Sequence, residues 1–380
     1  MLYSNAYITM RNITSKSNMV SSPPLYRQVE NFLREQIQSG QLQPGDMLPT
    51  VRELCEQFGG INHLTVRQAL RILTDENLIY SVQGKGSFVA SKTKTQHCIA
   101  LVLPNLEDYI FLKIARGVQN VFDAEGVRTL ILDSRGNWDK EAQNIQHLRE
   151  FPLDGAIIFP LAHHDIAEQI FRMKLDDFPF VLIDRYFEDI ETPSIVANNY
   201  QGGYDITAAL IKRKHINFAW LGELTSSSAK LRLQGFRDAL NDNGLACPRE
   251  RIRTLKLAPA ASHQEYIATL EKEVGKHLQA LLQSTPSTPQ TLVFADDQSA
   301  LIALRILQEQ GHNVPGDIAI AGFDDRPEGA QSNPPLTTVR QPMEQMGEEA
   351  ARAALQRVEN PTLPIERVCL PVEIVLRKSA

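Results

Sequence analysis

From Ile99 onward, short apolar runs alternate with amphipathic stretches of helical length, and this alternation constrains the chain more than any other feature. Strand-like runs fall at 99–104, 128–132, 155–160, 179–183, 217–222, 291–295 and 317–322. Amphipathic stretches such as 111–125 and 139–150 lie between them. A helix between two strands is the usual crossover of a parallel pair, so the pattern predicts a parallel sheet covered by helices. About 280 residues of it predict two such sheets with a cleft between them, because ligands sit beyond the carboxyl ends of parallel strands.

Residues 21–90 read differently. Leu25, Val29, Phe32, Leu33 and Ile37 follow helical spacing, with Gly40 as a stop. Pro44-Gly45-Asp46 is a turn. Thr50-Val51-Arg52-Glu53 has the form of a capping box and opens a short helix to about Phe58. Gly59-Gly60 breaks that helix, and Asn62 is the N-cap of a third one carrying Val66, Ala69, Leu70 and Leu73 on its apolar stripe. Leu78 to Ala90 reads as two strands around Gln83-Gly84-Lys85-Gly86. The sum is an α+β winged helix-turn-helix.

Ser91 to Gln96 is polar and free of apolar side chains, and is expected to be a linker. Residues 1–20 lack periodicity and are expected to be a disordered leader. The charge divides along the same line. The net charge is −6, with residues 1–20 at +2, residues 21–96 at +1 and the remainder at −9. No run approaches eighteen apolar residues and no apolar h-region opens the chain, which excludes a membrane-spanning helix and a secretory signal as readings of the sequence. Four widely spaced cysteines with no CxxC pair fit a reducing cytoplasm and exclude a disulfide scaffold or a zinc ribbon.

The third helix leaves His63, Thr65, Arg67, Gln68 and Arg71 off its apolar stripe, where they can donate to phosphates and base edges. Lys85 sits between Gly84 and Gly86 at the tip of the hairpin, Arg52 lies at a helix start as a phosphate clamp, and Thr50 precedes it. Two helices and a hairpin with a few arginines also occur in modules that bind no DNA. The motifs decide further. Pro24-Leu25-Tyr26, Pro44-Gly45-Asp46-x-Leu48-Pro49-Thr50-x-Arg52-Glu53-Leu54, Thr65-Val66-Arg67-x-Ala69-Leu70 and Gly84-x-Gly86-x-Phe88-Val89 resemble the GntR-type DNA-binding domain. The resemblance implies operator contacts by Arg52, Thr65 and Arg67, with Gly84 to Gly86 as the wing. It departs from the family at Gly59-Gly60, one residue longer in the turn, and at His63, where arginine is common.

In the large domain, the polar residues just past each strand are the ones to inspect. They include Asp108 and Phe111 after the first run, Arg135 after the second, Asp184-Arg185 after the fourth, then Lys230, Arg232, Asp296-Asp297 and Asp324-Asp325. Carboxylates, cationic donors and an aromatic face suit a polyhydroxylated ligand, though each alone is equally a helix cap, an ion pair or a solvated loop residue. Leu182-Ile183-Asp184-Arg185, Asn198-Asn199-Tyr200-x-Gly202-Gly203, Arg232-Leu233-x-Gly235-Phe236, Ala295-Asp296-Asp297, Gly322-Phe323-Asp324-Asp325 and Pro335-Leu336-Thr337-Thr338-Val339 resemble the sugar-responsive domain of LacI/GalR regulators.

That resemblance implies the type I periplasmic-binding-protein fold, with two Rossmann-like lobes and three crossovers near 186–196, 340–342 and 362–367. Lobe one would then be about 97–186 plus 342–362, and lobe two about 187–341 plus 363–380. It also implies ligand contacts by Asp108, Phe111 as a stacking ring, Arg135, Lys230, Asp296 and Asp324. Lys230 and Asp296 stand where arginine and asparagine are commoner.

His163-His164 has no third metal ligand at suitable spacing and reads as a solvated helix start, so no metal is expected. No GxGxxG, P-loop, GxSxG or HExxH is present, so neither a cofactor nor an enzyme is expected. Pro286-Ser287-Thr288-Pro289 reads as a surface loop. The expected protein is a ligand-responsive, DNA-binding transcriptional regulator, combining the same two parts as the arabinose-repressor class. It would be a cytoplasmic homodimer that represses carbohydrate-utilisation genes until a small sugar releases it from a double-stranded operator. A sugar-binding module acting through a protein partner, and a transcriptional activator, are the alternatives.

Overall fold

Residues 23–76, 78–90, 97–257, 262–283 and 290–380 are described by the computed structural model. The leader 1–20, the linker 91–96 and the loop 286–289 expected from sequence lie outside them. The chain divides into two compact units, one up to Thr95 and one from Gln96.

The smaller unit holds α1 (Leu25–Gln38), α2 (Val51–Gln57) and α3 (His63–Asp75), followed by the antiparallel hairpin of β1 (Ile79–Val82) and β2 (Gly86–Val89). Both expected caps form. The Thr50 hydroxyl accepts from the Glu53 N–H while Glu53 reaches back to the Thr50 N–H, and the Asn62 side chain accepts from the Leu64 N–H. Val29, Leu33, Leu54, Val66, Ala69 and Leu73 meet at the centre and are fully buried. A buried carboxylate, Glu30, takes hydrogen bonds from Arg27 and Arg34, and Arg34 also reaches Glu76, which ties α1 to the end of α3.

The larger unit begins with β3 (Cys98–Leu103), α4 (Tyr109–Glu125), β4 (Arg128–Asp133), α5 (Trp138–His147), β5 (Gly155–Ile158), α6 (His164–Leu175), β6 (Phe180–Ile183) and β7 (Ser194–Ala197). It continues with α7 (Asn199–Lys212), β8 (Phe218–Gly222), α8 (Ser227–Asp242), β9 (Ile252–Thr254), α9 (His263–Leu282), β10 (Thr291–Phe294), α10 (Asp297–Glu309), β11 (Ala319–Ala321) and α11 (Pro327–Gln331). The last elements are β12 (Thr338–Arg340), α12 (Met343–Glu359), β13 (Arg367–Leu370) and β14 (Glu373–Val375).

Two parallel sheets result, ordered β13-β7-β6-β5-β3-β4 and β11-β10-β8-β9, with β12 and β14 pairing antiparallel. Each parallel sheet is covered on both faces, and the period of two along a strand decides which residue serves which face. On β3, Ile99, Leu101 and Leu103 face the α4 and α12 side, while Ala100 and Val102 face α5 and α6. On β8, Ala219 and Leu221 face α9 and α10, while Phe218 and Trp220 face α7 and α8.

The structure corrects the expected lobe division. β7 and β13, placed by expectation in lobe two, both belong to the first sheet, with Ile195 opposite Ile183 and Val368 opposite Ile195. The chain therefore passes between sheets at 198 and 371–372 rather than near 186–196 and 362–367, while the passage at 341–342 lies within the expected 340–342. The physical reason is the edge of β6. Its backbone N–H and C=O groups need partners, and the next short strand supplies them before the chain leaves the lobe.

Candidate functional site

In the smaller unit, α3 presents His63, Arg67, Gln68 and Arg71 to solvent, with Thr65 half-buried. Arg52 is exposed at the start of α2 and pairs with Glu56 at 3.1 Å, and Arg71 stands 3.8 Å from Asp75. Exposed pairs of this kind are weak, so both guanidiniums are available to a phosphate. The Thr50 hydroxyl is committed to its cap. Gly84 and Gly86 have φ of 76° and 120°, a conformation that only glycine adopts freely, and they hold exposed Lys85 at the hairpin tip.

In the larger unit, a cavity of about 210 Å³ opens between the lobes at the carboxyl ends of both sheets. Asp108, Phe111, Arg135, Arg232, Asp296 and Asp324 all line it. Three non-glycine residues at strand ends around it have positive φ: Arg135 at 53°, Asp184 at 67° and Asp324 at 127°. Backbone held in this region costs roughly 1–3 kcal/mol per residue and persists where a surrounding site demands it.

Each expected residue has an identifiable hold. Asp108 caps α4 through Oδ1, which accepts from the Ile110 N–H at 2.9 Å, while Oδ2 pairs with Arg326 of the other lobe. Phe111 packs edge-on against Phe159, with ring centroids 4.9 Å apart. Arg135 is exposed at the rim. Asp296 caps α10 and accepts from the Ser299 N–H and hydroxyl at 2.7 and 2.9 Å. Arg232 is buried flat over the Phe323 ring at 3.8 Å and donates to Asn199 Oδ1 and the Ala295 carbonyl. Asp324 accepts from Gln341 Nε2 at 2.6 Å, and its Oδ1 lies 3.7 Å from the Arg232 guanidinium. Burial pushes the Asp324 carboxyl well above its ordinary value, with Asp297 and Asp296 adding to the effect and Arg232 opposing it. Asp297, also buried, is pushed up to about 6.

Lys230 is the correction. Its side chain does not line the cavity; it is half-exposed and pairs with Glu188 at 3.0 Å. Lys230 lies two residues from Arg232 on α8, and on a helix such neighbours point in different directions.

Sequence reasoning missed Arg326, Gln341, Glu223 and Tyr266, all of which line the cavity. Arg326 and Gln341 follow the strand-end motifs by one or two residues, and Tyr266 comes from α9 far along the chain. Burial holds the Tyr266 hydroxyl protonated, far above its ordinary value. The lobes also touch through Asn105 Nδ2 and His263 Nδ1 at 2.9 Å, and through the Tyr186 N–H donating to Ser227 Oγ at 3.1 Å. The third neighbour that His163-His164 lacked by spacing is Asp165: its carboxylate oxygens lie 3.3 and 2.9 Å from the two rings, and His163 stacks on Trp138.

A winged helix preceding a two-lobed domain with a polar cleft is the architecture of a bacterial transcriptional regulator. Residues 25–89 match the family of bacterial regulatory proteins described as the gntR family, and residues 207–380 match the periplasmic binding protein-like domain. These two matches divide the chain, the gntR one falling in the smaller unit and the periplasmic binding protein-like one in the larger.

The chain is similar to the arabinose metabolism transcriptional repressor of Geobacillus stearothermophilus, 29% identical over 364 residues, covering 94% of this chain and 97% of the relative. It is also similar to the ribose operon repressor of Haemophilus influenzae, 28% identical over 317 residues, covering 82% and 88%. Among solved structures, the transcriptional regulator CelR–cellobiose complex superposes with a TM-score of 0.65 at 21% identity, covering 87% of this chain and 95% of that one. A LacI family regulator from Enterococcus faecium with bound ribose superposes with a TM-score of 0.60 at 22% identity, covering 74% and 98%. At these identities the superpositions speak to the fold.

Proposed function

We propose that this protein represses carbohydrate-utilisation genes and is released from its operator by a monosaccharide held between the lobes. The observation that carries the reading is the cavity itself. It gathers carboxylates, guanidiniums and the Phe111 ring at the ends of strands from both sheets, so a ligand there touches both lobes at once. A cavity of about 210 Å³ is of the scale that takes one small ring; an engineered cavity of roughly 150 Å³ admits benzene. The relatives named for arabinose metabolism and the ribose operon support a pentose. Asp108, Phe111, Arg135, Arg232, Asp296 and Asp324 are its proposed contacts.

The DNA contacts proposed are Arg52, Thr65 and Arg67, with His63, Gln68 and Arg71 beside them on α3, Thr50 next to Arg52, and Gly84-Lys85-Gly86 as the wing. A homodimer with two such heads would read a pseudo-palindromic operator. No helix among the described residues is long and apolar enough to cross a membrane, and a regulator of operons works in the cytoplasm. Ligand shifts DNA affinity only by its differential affinity for two states, typically about 1–3 kcal/mol, or roughly 5–150-fold.

The test is fluorescence anisotropy on DNA from upstream of the gene, with and without L-arabinose and D-ribose. One pentose is expected to weaken DNA binding at least fivefold or so. DNA binding that no sugar alters would sink the effector half of the reading. Absence of DNA binding at any salt would sink the other half.

A further inference from the structure

Among the described residues, His163, His164 and Asp165 bring two imidazoles and a carboxylate together, with one ligand atom of each within 4.8 Å of the others. Asp165 Oδ2 lies 3.3 Å from His163 Nδ1, and Oδ1 lies 2.9 Å from His164 Nε2. Nitrogen and oxygen ligands about 2.0–2.2 Å from a zinc ion stand roughly 3–3.5 Å apart, so these separations are on the scale of a coordination shell. The cluster opens α6, and a helix start by itself repels a cation. The donor set is what favours one: imidazole nitrogens suit zinc, nickel and copper, and the carboxylate supplies the opposing charge.

The surroundings hold the rings and leave room for an ion. His163 lies flat on Trp138 of α5, with ring centroids 4.3 Å apart and planes 5° from parallel, so packing fixes its orientation. The His163 Nδ1 lone pair is only weakly engaged by the α6 cap, because the Asp165 N–H group stands 3.4 Å away, beyond the usual hydrogen-bond range. His163 and His164 both line a second cavity of about 210 Å³, whose far wall is Thr225, Ser226 and Ser227 of the second lobe. Three protein donors leave a coordination position open, and water from this cavity can fill it.

We propose that His163, His164 and Asp165 hold a divalent transition-metal ion of the zinc and nickel class at the edge of the cleft. The site is separate from the sugar-sensing reading and does not rest on it. Exposed His164 and half-buried Asp165 admit the ion from solvent, while stacked His163 anchors it to the first lobe. None of the four cysteines belongs to the cluster, so the ion is held through nitrogen and oxygen alone.

Calorimetric titration of the full chain, free of any added histidine tag, with Zn²⁺ and then Ni²⁺ tests this. Zn²⁺ is expected to bind at roughly one ion per chain and to raise the melting temperature. His164→Ala, on an exposed side chain, is expected to keep the fold and weaken Zn²⁺ at least about tenfold, since even changes outside the ligand shell cost about 10–100-fold. Asp165→Asn is expected to do the same. Co²⁺ reports the donor atoms by its absorption, which should lack the thiolate charge-transfer band of a cysteine site.

Thermal melting without metal checks each variant, and the wild-type titration with the Co²⁺ spectrum decides the matter if a variant does not fold. No uptake of Zn²⁺ or Ni²⁺ by wild type overturns the proposal and leaves Asp165 as an ion-pair partner of the two rings. Undiminished Zn²⁺ affinity in folded His164→Ala also overturns it. A thiolate band in the Co²⁺ spectrum places the ion at a cysteine and overturns it as well.

Discussion

Gly117 on α4 and Gly347 on α12 lie against each other's helix backbone: a Cβ on Gly117 would overlap the Glu344 carbonyl, and one on Gly347 would overlap the Ile114 carbonyl. The second lobe repeats the arrangement where Gly203 on α7 meets the Arg232 carbonyl and Gly235 on α8 meets the Tyr200 carbonyl. Helices approach this closely only where no side chain intervenes. In the second lobe the close crossing also places Arg232, whose guanidinium forms part of the cavity wall.

Alanine at these positions separates packing from binding. Gly117→Ala is expected to lower unfolding free energy by about 1–3 kcal/mol, the cost of overpacking a core. Gly203→Ala is expected to cost as much and also to weaken the effector, because it displaces Arg232. Urea denaturation measures the first quantity and calorimetry the second. Equal effector affinity in both variants would contradict the positioning role of the α7–α8 crossing.

DNA binding is expected to respond differently to two substitutions in the smaller unit. Arg67→Ala should cost about 1–3 kcal/mol on the operator and relax preference at the base it contacts. Lys85→Ala should weaken all sequences alike and lower the slope of log affinity against log salt by about 1. Anisotropy titrations at several salt concentrations on operator and scrambled DNA read both.

The cavity assigns opposite outcomes to two residues expected from sequence to bind the effector. Asp324→Ala removes a buried wall group and leaves the Gln341 amide without its acceptor, so effector affinity should fall at least about tenfold. Lys230→Ala breaks only a half-exposed pair with Glu188 and should change affinity by no more than about 1 kcal/mol. A large loss in Lys230→Ala, measured by calorimetry, would place the effector outside this cavity.

Glu141 supplies a pH signature. It is fully buried on α5, accepts from the Leu161 N–H at 2.7 Å, and burial pushes its carboxyl up to about 8. Its folded value lies above its unfolded one, so the folded state binds the proton more tightly between them. That stability is fully present below the ordinary glutamate range and is lost as pH rises towards 8. The slope is at most about 1.4 kcal/mol per pH unit for one proton. Glu141→Gln is expected to flatten the decline and leave the protein more stable than wild type at pH 8. Urea midpoints measured from pH 5 to pH 8 decide it.

Local chemistry was enough to read much of this protein. The capping box at Thr50–Glu53, the Asn62 cap, the apolar stripe of α3 and the seven main strand runs are decided within a few residues of chain, by periodicity and by hydrogen bonds a side chain makes with its own backbone. Polar residues after strand ends are legible for the same reason, and Asp108, Phe111, Arg135, Arg232, Asp296 and Asp324 do gather at one cavity. Tertiary structure alone decided the rest. Ser194–Ala197 and Arg367–Leu370 are too short for their periodicity to say which sheet they join, and pairing with β6 and with each other settled it. Asp108 and Arg326 are 218 residues apart, so no local pattern announces their pairing. Lys230 and Arg232 look equivalent in sequence, yet the turn of a helix sends one to solvent and the other beneath the cavity. Backbone propensity acts over one or two turns, whereas charge pairing, sheet membership and side-chain direction are settled only when distant segments pack.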